Sequence, residues 1–314
     1  MILLLFLLGA IALPAPGAAA ESPWTPTRYP LTVTDDSGTA VTLPSRPKRI
    51  ISLTLPTDEI LLSLVDASRI LAVTTLAADP GISNVSAQAS RIPHTMTLSV
   101  EPIIAMHPDL VFTASWSDLG AVSQLREAGV PVYLIASATT VAAVEQVIRR
   151  CALLTGESQK GAALVAHMEE MIAAVEKKTA SIPREKRLSV LDYTTFGASM
   201  GRGSSWDDIV RLAGLVNAAA AIVSDGWGQV PVSTEKLLTV DPDILILPGW
   251  VYGDPHGAAA FFNRVVTDPA LRGLSAVKAG RVYMMPENLR ACTSQYIADA
   301  VQWLARTAYP GMFH

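Results

Sequence analysis

Apolar positions along the chain fall into three patterns, each predicting a different element. The first is a run from Ile2 to Leu13, followed by Pro14, Pro16 and Gly17, then Ala18, Ala19 and Ala20 before Glu21. Twelve residues fall short of the ~20 that span a bilayer, and the small residues behind them form a cleavage site, so residues 1–20 read as a secretory signal. No Lys or Arg precedes the run, which leaves the true start codon open. No cysteine follows the site, so the expected product is a free periplasmic protein rather than a lipoprotein.

The second pattern is alternation. Tyr29, Leu31 and Val33, then Val41 and Leu43, flank Asp35, Asp36, Ser37 and Gly38, which predicts a β-hairpin. The third is a short apolar run, Ile50 to Leu53, followed by Ile60, Leu61, Leu64 and Val65 at helical spacing, with Thr57 or Asp58 able to cap that helix. A buried strand leading into a helix opens an α/β unit.

That unit recurs. SVEPIIAMHPDLVF at 99–112 and STEKLLTVDPDILI at 233–246 share a Ser, a Glu two residues on, an apolar pair, Pro-Asp and a strand. Each copy predicts a short helix capped by Ser99 or Ser233, ended before Pro108 or Pro242, then a buried strand. The flanks repeat as well: RIISL with its helix against RLSVL at 187–191 with a helix from Asp207, and GVPVYLI at 129–135 against GRVYMM at 280–285.

Between the copies, Leu164, Val165, Met168, Met171, Ile172 and Val175 recur at helical spacing while Glu169, Glu170, Glu176 and Lys177 face elsewhere. Some 23 residues of helix make a rod of about 34 Å. The predicted fold is therefore α/β, two Rossmann-like lobes joined by a single long α-helix. The divisions are residues 21–155 for the first lobe with its leading hairpin, 156–183 for the linker helix and 184–314 for the second lobe.

Composition narrows the function. The 314 residues are 50% apolar and 17% charged, which excludes disorder and a fibrous repeat. With 24 Lys+Arg against 28 Asp+Glu, the net charge of -4 argues against a nucleic-acid partner. Two cysteines, Cys151 and Cys292, could pair in an exported protein or stand as separate buried thiols, and spacing does not choose between these.

With these features in order, the chain resembles the periplasmic binding proteins of ABC importers for cobalamin and ferric chelates. The likeness runs from about Tyr29 to Tyr309 and rests on DDSGTAVTLPSRPKRIISL, the TDEIL helix start, the repeated pair, LREAGVPVYLI and GSSWDDIVRLAGLVN. It implies a monomer that captures a metal-containing organic ligand between its lobes and delivers it to a permease dimer with its ATPase. It implies no catalysis and no resident cofactor or metal. By the same resemblance, Glu101 and Glu235, one in each repeated helix, dock onto permease arginines; two equivalent carboxylates suit a two-fold partner. Their alternative role is to complement a helix dipole.

Ligands in such sheets bind beyond the carboxyl ends of the strands. Loops there offer Pro56, Thr57 and Trp116 in the first lobe and Tyr193, Phe196, Trp250, Tyr252 and Arg290 in the second. The aromatic residues suit a bulky, amphipathic ligand. Ordinary packing is the competing role for the tryptophans, Trp206 and Trp227 included, and solvation for the arginines. Cobalamin, haem and a ferric siderophore all remain open; few basic residues in these loops favour cobalamin over a strongly anionic chelate. Two rival classes fit the sequence less well. A bare zinc or manganese binder needs clustered His and carboxylates, yet His107, His167 and His314 are poorly placed for a cleft. A two-lobed chelatase or reductase would need catalytic residues, and no Walker loop, HExxH, GxSxG or CxxC occurs.

Overall fold

The computed structural model describes residues 24–225, 228–290 and 292–313. The signal expected over residues 1–20, together with Trp227 and His314, lies outside them.

The leading hairpin forms from β1 (Leu31–Thr34) and β2 (Ala40–Leu43), paired antiparallel with Leu31 opposite Leu43 and Val33 opposite Val41. That register puts Val33, Val41 and Leu43 on the buried face. Asp35, at the hairpin turn, forms an ion pair with Arg126 and accepts from the Leu134 amide at 3.2 Å, so the hairpin is clasped to the first lobe.

Five parallel strands make the first lobe's sheet: β3 (Ile50–Ser52), β4 (Ile70–Thr74), β5 (His94–Met96), β6 (Leu110–Ala114) and β7 (Val132–Ile135), in the order β5-β4-β3-β6-β7. In the second lobe, β8 (Ser189–Asp192), β10 (Val216–Asn217), β12 (Ile244–Pro248) and β13 (Val282–Met285) are parallel in the order β10-β8-β12-β13, and β9 (Ala198–Met200) pairs with β11 (Gln229–Pro231) as a separate antiparallel ribbon. Laid on each other, β4-β3-β6-β7 and β10-β8-β12-β13 are one frame used twice.

The repeated Pro-Asp has a physical reason. Asp109 accepts from the Lys48 and Arg49 amides at 2.7 and 2.9 Å, and Asp243 accepts from the Ser189 amide and hydroxyl, both at 2.8 Å. Each carboxylate thus pins the start of the neighbouring strand, β3 or β8. The residues before the two prolines, His107 and Asp241, adopt left-handed backbone with φ 45° and 43°. These two turns end the repeated helices, Val100–Ala105 and Thr234–Val240.

Capping departs from expectation in places. The first helix spans Leu55–Leu64 and is capped by Thr54, whose extended backbone lets Oγ1 accept from the Thr57 amide at 3.2 Å, rather than by Thr57 or Asp58. Pro56 fits the first turn because its missing N–H would have had no helical partner there. The helix expected from Asp207 runs Ser205–Leu212 behind a Ser204 cap, and Ser99 occupies a cap position without making the side-chain bond that Ser233 makes to the Lys236 amide.

The linker helix, Ser158–Thr179, is about 33 Å long at 1.5 Å per residue. It packs against the Val141–Thr155 helix on one side and the Ile297–Ala308 helix on the other. A Cβ at Gly161 would come within 2.5 Å of the Ala152 side chain, so only glycine permits that approach. Val165, Met168, Ile172 and Val175 are buried in a core that also holds Ile148, Leu154, Val301 and Leu304. Full burial of such side chains contributes about 1.5–3 kcal/mol each. Cys151 lies in this core and Cys292 in the second lobe, both as free thiols.

Candidate functional site

The carboxyl ends of β3, β6 and β7 face the second lobe across a cleft. There a recess of about 90 Å³ is lined by Thr54, Pro56, Thr57, Trp116 and Ala138, with Thr293 closing it from the opposite lobe. Pro56, Thr57 and Trp116, expected together, are together. Trp116 keeps 54% of its surface exposed, a large apolar area on offer to a ligand.

From the second lobe, Trp250 follows β12 and reaches across to Gly81 of the first, so closely that a Cβ there would fall 2.2 Å from the indole ring. Tyr252 stacks edge-on against Trp250 with centroids 5.8 Å apart, and it and Phe196 stand out into solvent. Trp116 thus lines the recess from the first lobe, and Trp250 reaches the first lobe from the second.

Two expected ligand residues are placed otherwise. Tyr193 is half-buried and packs on Phe261 at 5.9 Å against the second lobe's own core. Arg290 is no free cation: it gives both Asp192 oxygens bonds of 2.9 and 3.0 Å and both Glu287 oxygens bonds of 2.8 and 2.6 Å. Burial pushes the Asp192 carboxyl up in spite of Arg290; burial likewise works against the guanidinium, but the two carboxylates hold its proton firmly. Trp206 is core, 2% exposed.

The sequence reading missed the contact that joins the lobes. Glu59 of the first helix is buried and accepts from the Asn84 amide and side chain at 2.9 and 2.8 Å and from the Ser294 hydroxyl of the second lobe. Asn84 and Asn288 exchange reciprocal bonds of 2.8 Å across the cleft, and Gln295 donates to the Glu59 carbonyl at 3.0 Å. Burial raises the Glu59 carboxyl above its ordinary range. Beside it, Asp58 is 0% exposed, and burial pushes its carboxyl up to about 8. Two adjacent acids inside the apolar TDEIL run were the available signal, since unpaired buried carboxylates are costly.

Glu101 and Glu235 are both exposed, each the second residue of its helix. Helices leading into the next parallel strand start at the carboxyl-end side of the sheet, which sets both glutamates on the cleft rim. Among the described residues no three His, Cys, Asp or Glu converge to hold a metal ion, and no helix is long and apolar enough to cross a membrane.

Residues 50–289 match the model of the periplasmic binding protein family, and the chain belongs to that family. It is 26% identical over 297 residues to the uncharacterized ABC transporter substrate-binding lipoprotein YvrC of Bacillus subtilis, covering 91% of this chain and 87% of that one. It is also 26% identical to a cobalamin-binding protein of Halobacterium salinarum, over 76% of this chain and 63% of the relative. In fold it is similar to the Haemophilus influenzae molybdate-binding protein MolA, with a TM-score of 0.74 at 20% identity over 90% of this chain and 92% of that one. The haem-binding protein RhuT of Roseiflexus gives a TM-score of 0.70 at 24% identity over 84% and 99%. These relatives are transport proteins that bind a substrate, not enzymes. The chain is thus a substrate-binding protein of this family, and its relatives serve ABC transporters. That YvrC is called a lipoprotein stands against the free form expected here, and the N-terminal segment concerned lies outside the described residues.

Proposed function

We propose that this protein captures a corrinoid between its two lobes and presents it to the permease of an ABC importer on the outer side of the membrane. The observation that supports the reading is the set of exposed aromatics, Trp116 lining the recess and Phe196 and Tyr252 in the second lobe, with Trp250 beneath Tyr252, while Arg290 is already committed to Asp192 and Glu287. Such a site favours a bulky ligand of little net charge over a strongly anionic one. The cobalamin-binding relative supports the same choice.

Calorimetric titration of the purified chain with cyanocobalamin tests it. One-to-one binding at micromolar affinity or tighter is the expected result; no heat at several temperatures would leave a substrate-binding protein whose ligand is haem or a ferric siderophore. Docking rests on Glu101 and Glu235, exposed and equivalent in the two lobes. Replacing both with Ala should abolish transport and leave ligand affinity within a few-fold, because the carboxylates orient the partner rather than touch the ligand.

A further inference from the structure

At the edge of the second lobe's sheet, beside β10, an open recess of about 540 Å³ is lined by four arginines, Arg184, Arg187, Arg202 and Arg211. They come from three separate places in the chain. Arg184 opens the short 3-10 turn Arg184–Lys186 and Arg187 caps it, Arg202 lies in the turn behind β9, and Arg211 sits in the last turn of the Ser205–Leu212 helix. One acid, Asp207, lines the recess with them among the described residues. In a chain of 24 Lys+Arg against 28 Asp+Glu, this is a concentration of positive charge against the overall balance.

The protein itself answers little of that charge. Arg211 is paired with Asp208 at 2.6 Å, and Arg202 commits only its Nε, to the Ala220 carbonyl at 3.3 Å. Asp207 is turned to other donors, the Gly203 amide at 3.1 Å and the Asn217 side chain at 3.0 Å. Arg184 and Arg187 make no ion pair or side-chain hydrogen bond among the described residues, and the Nε–H of Arg187 is buried without an acceptor. A buried donor left unanswered is unfavourable, and like charges around one recess repel, so an anion there relieves both.

We propose that this recess is a binding site for a phosphate group. A carboxylate offers two oxygens and fits one guanidinium fork, whereas uncommitted guanidiniums at Arg184, Arg187 and Arg202 call for the three or more oxygens of a phosphate. Inorganic phosphate, a soluble phosphate ester and the headgroup of an anionic lipid share that chemistry. The site is independent of whatever the cleft holds, since the two recesses have no lining residue in common.

Calorimetric titration of the purified chain with inorganic phosphate and with pyrophosphate, at about 0.15 M ionic strength to screen long-range attraction, tests it. One-to-one binding is expected, weakened at least about tenfold in Arg187→Gln and in Arg202→Gln, each of which removes charged donors. Arg202 is exposed, so its replacement reads the site even where Arg187→Gln costs stability. Arg272→Gln, an exposed arginine outside the recess, removes the same charge and should bind as the wild type does. Flotation with phosphatidylglycerol and with phosphatidylcholine vesicles distinguishes the sources. Capture by phosphatidylglycerol alone, lost in both recess variants, assigns a lipid headgroup; pyrophosphate binding without capture assigns a soluble phosphate. The proposal is overturned by no binding of either anion or vesicle, by binding that the recess variants leave unchanged, or by an equal loss in Arg272→Gln.

Discussion

Both lobes bury a carboxylate near the carboxyl end of the strand at the middle of their shared frame, and they neutralise it differently. In the second lobe Asp192, the last residue of β8, meets the Arg290 guanidinium, which also holds Glu287. In the first lobe Asp58 follows β3 by a few residues, accepts from the Thr74 amide and hydroxyl, and has no ion pair among the described residues. One charge is balanced by a counter-ion; for the other, burial moves the carboxyl up to about 8 and so favours the neutral acid. A buried ion triad is stiff, whereas an acid whose range burial has moved to about 8 responds to pH near neutrality. The same duplicated frame can therefore give one wall of the cleft a fixed electrostatic surface and the other an adjustable one.

The comparison breaks most easily at Arg290. Arg290→Ala leaves Asp192 and Glu287 as uncompensated buried charges, and unfolding in urea should show a loss of about 3–5 kcal/mol. Next come the paired strand anchors. Asp109→Ala and Asp243→Ala each strip acceptors from the start of a strand, so each should cost about 1–3 kcal/mol, and similar values in both would mark the two lobes as equivalent at that end. The third effect is a slope. Asp58 titrates at about 8 in the folded protein and near the ordinary carboxylate value when unfolded, so the folded state holds its proton more tightly. Its contribution to stability is complete below about pH 4 and fades as pH rises to about 8; Glu59, also raised by burial, acts in the same direction. Denaturation midpoints across that range should fall in the wild type and flatten in Asp58→Asn. The smallest change belongs to the rim: Glu101→Ala and Glu235→Ala should alter stability by less than about 0.5 kcal/mol, as exposed single substitutions do.

Much of the architecture was legible because it depends on local patterns. The hairpin is read from alternation, the linker from a 22-residue amphipathic helix, and the duplication from Pro-Asp, whose acids do the same job at Lys48–Arg49 and at Ser189. The β9–β11 ribbon was not foreseen, since strands of three residues carry too little periodicity to register. Around the cleft, Pro56, Thr57 and Trp116 could be placed together because they sit after adjacent strands. Tyr193 and Arg290 could not be assigned in this way, because their surroundings are set by Phe261 and by Asp192, 68 and 98 positions away in sequence. The Glu59 contacts with Ser294 and Gln295 span more than 230 positions, and nothing in local composition pairs such residues.

The linker helix has a kinetic consequence. Its start lacks a loose dihedral about which a lobe could swing: Gly156 is fixed as the cap of the preceding helix, Glu157 is tied to Arg46 and Arg69, and the rod packs against two helices. A bearing without play transmits force instead of absorbing it. Ligand arrival should accordingly be a single bimolecular encounter, with an observed rate that rises linearly with ligand concentration and shows no saturating phase.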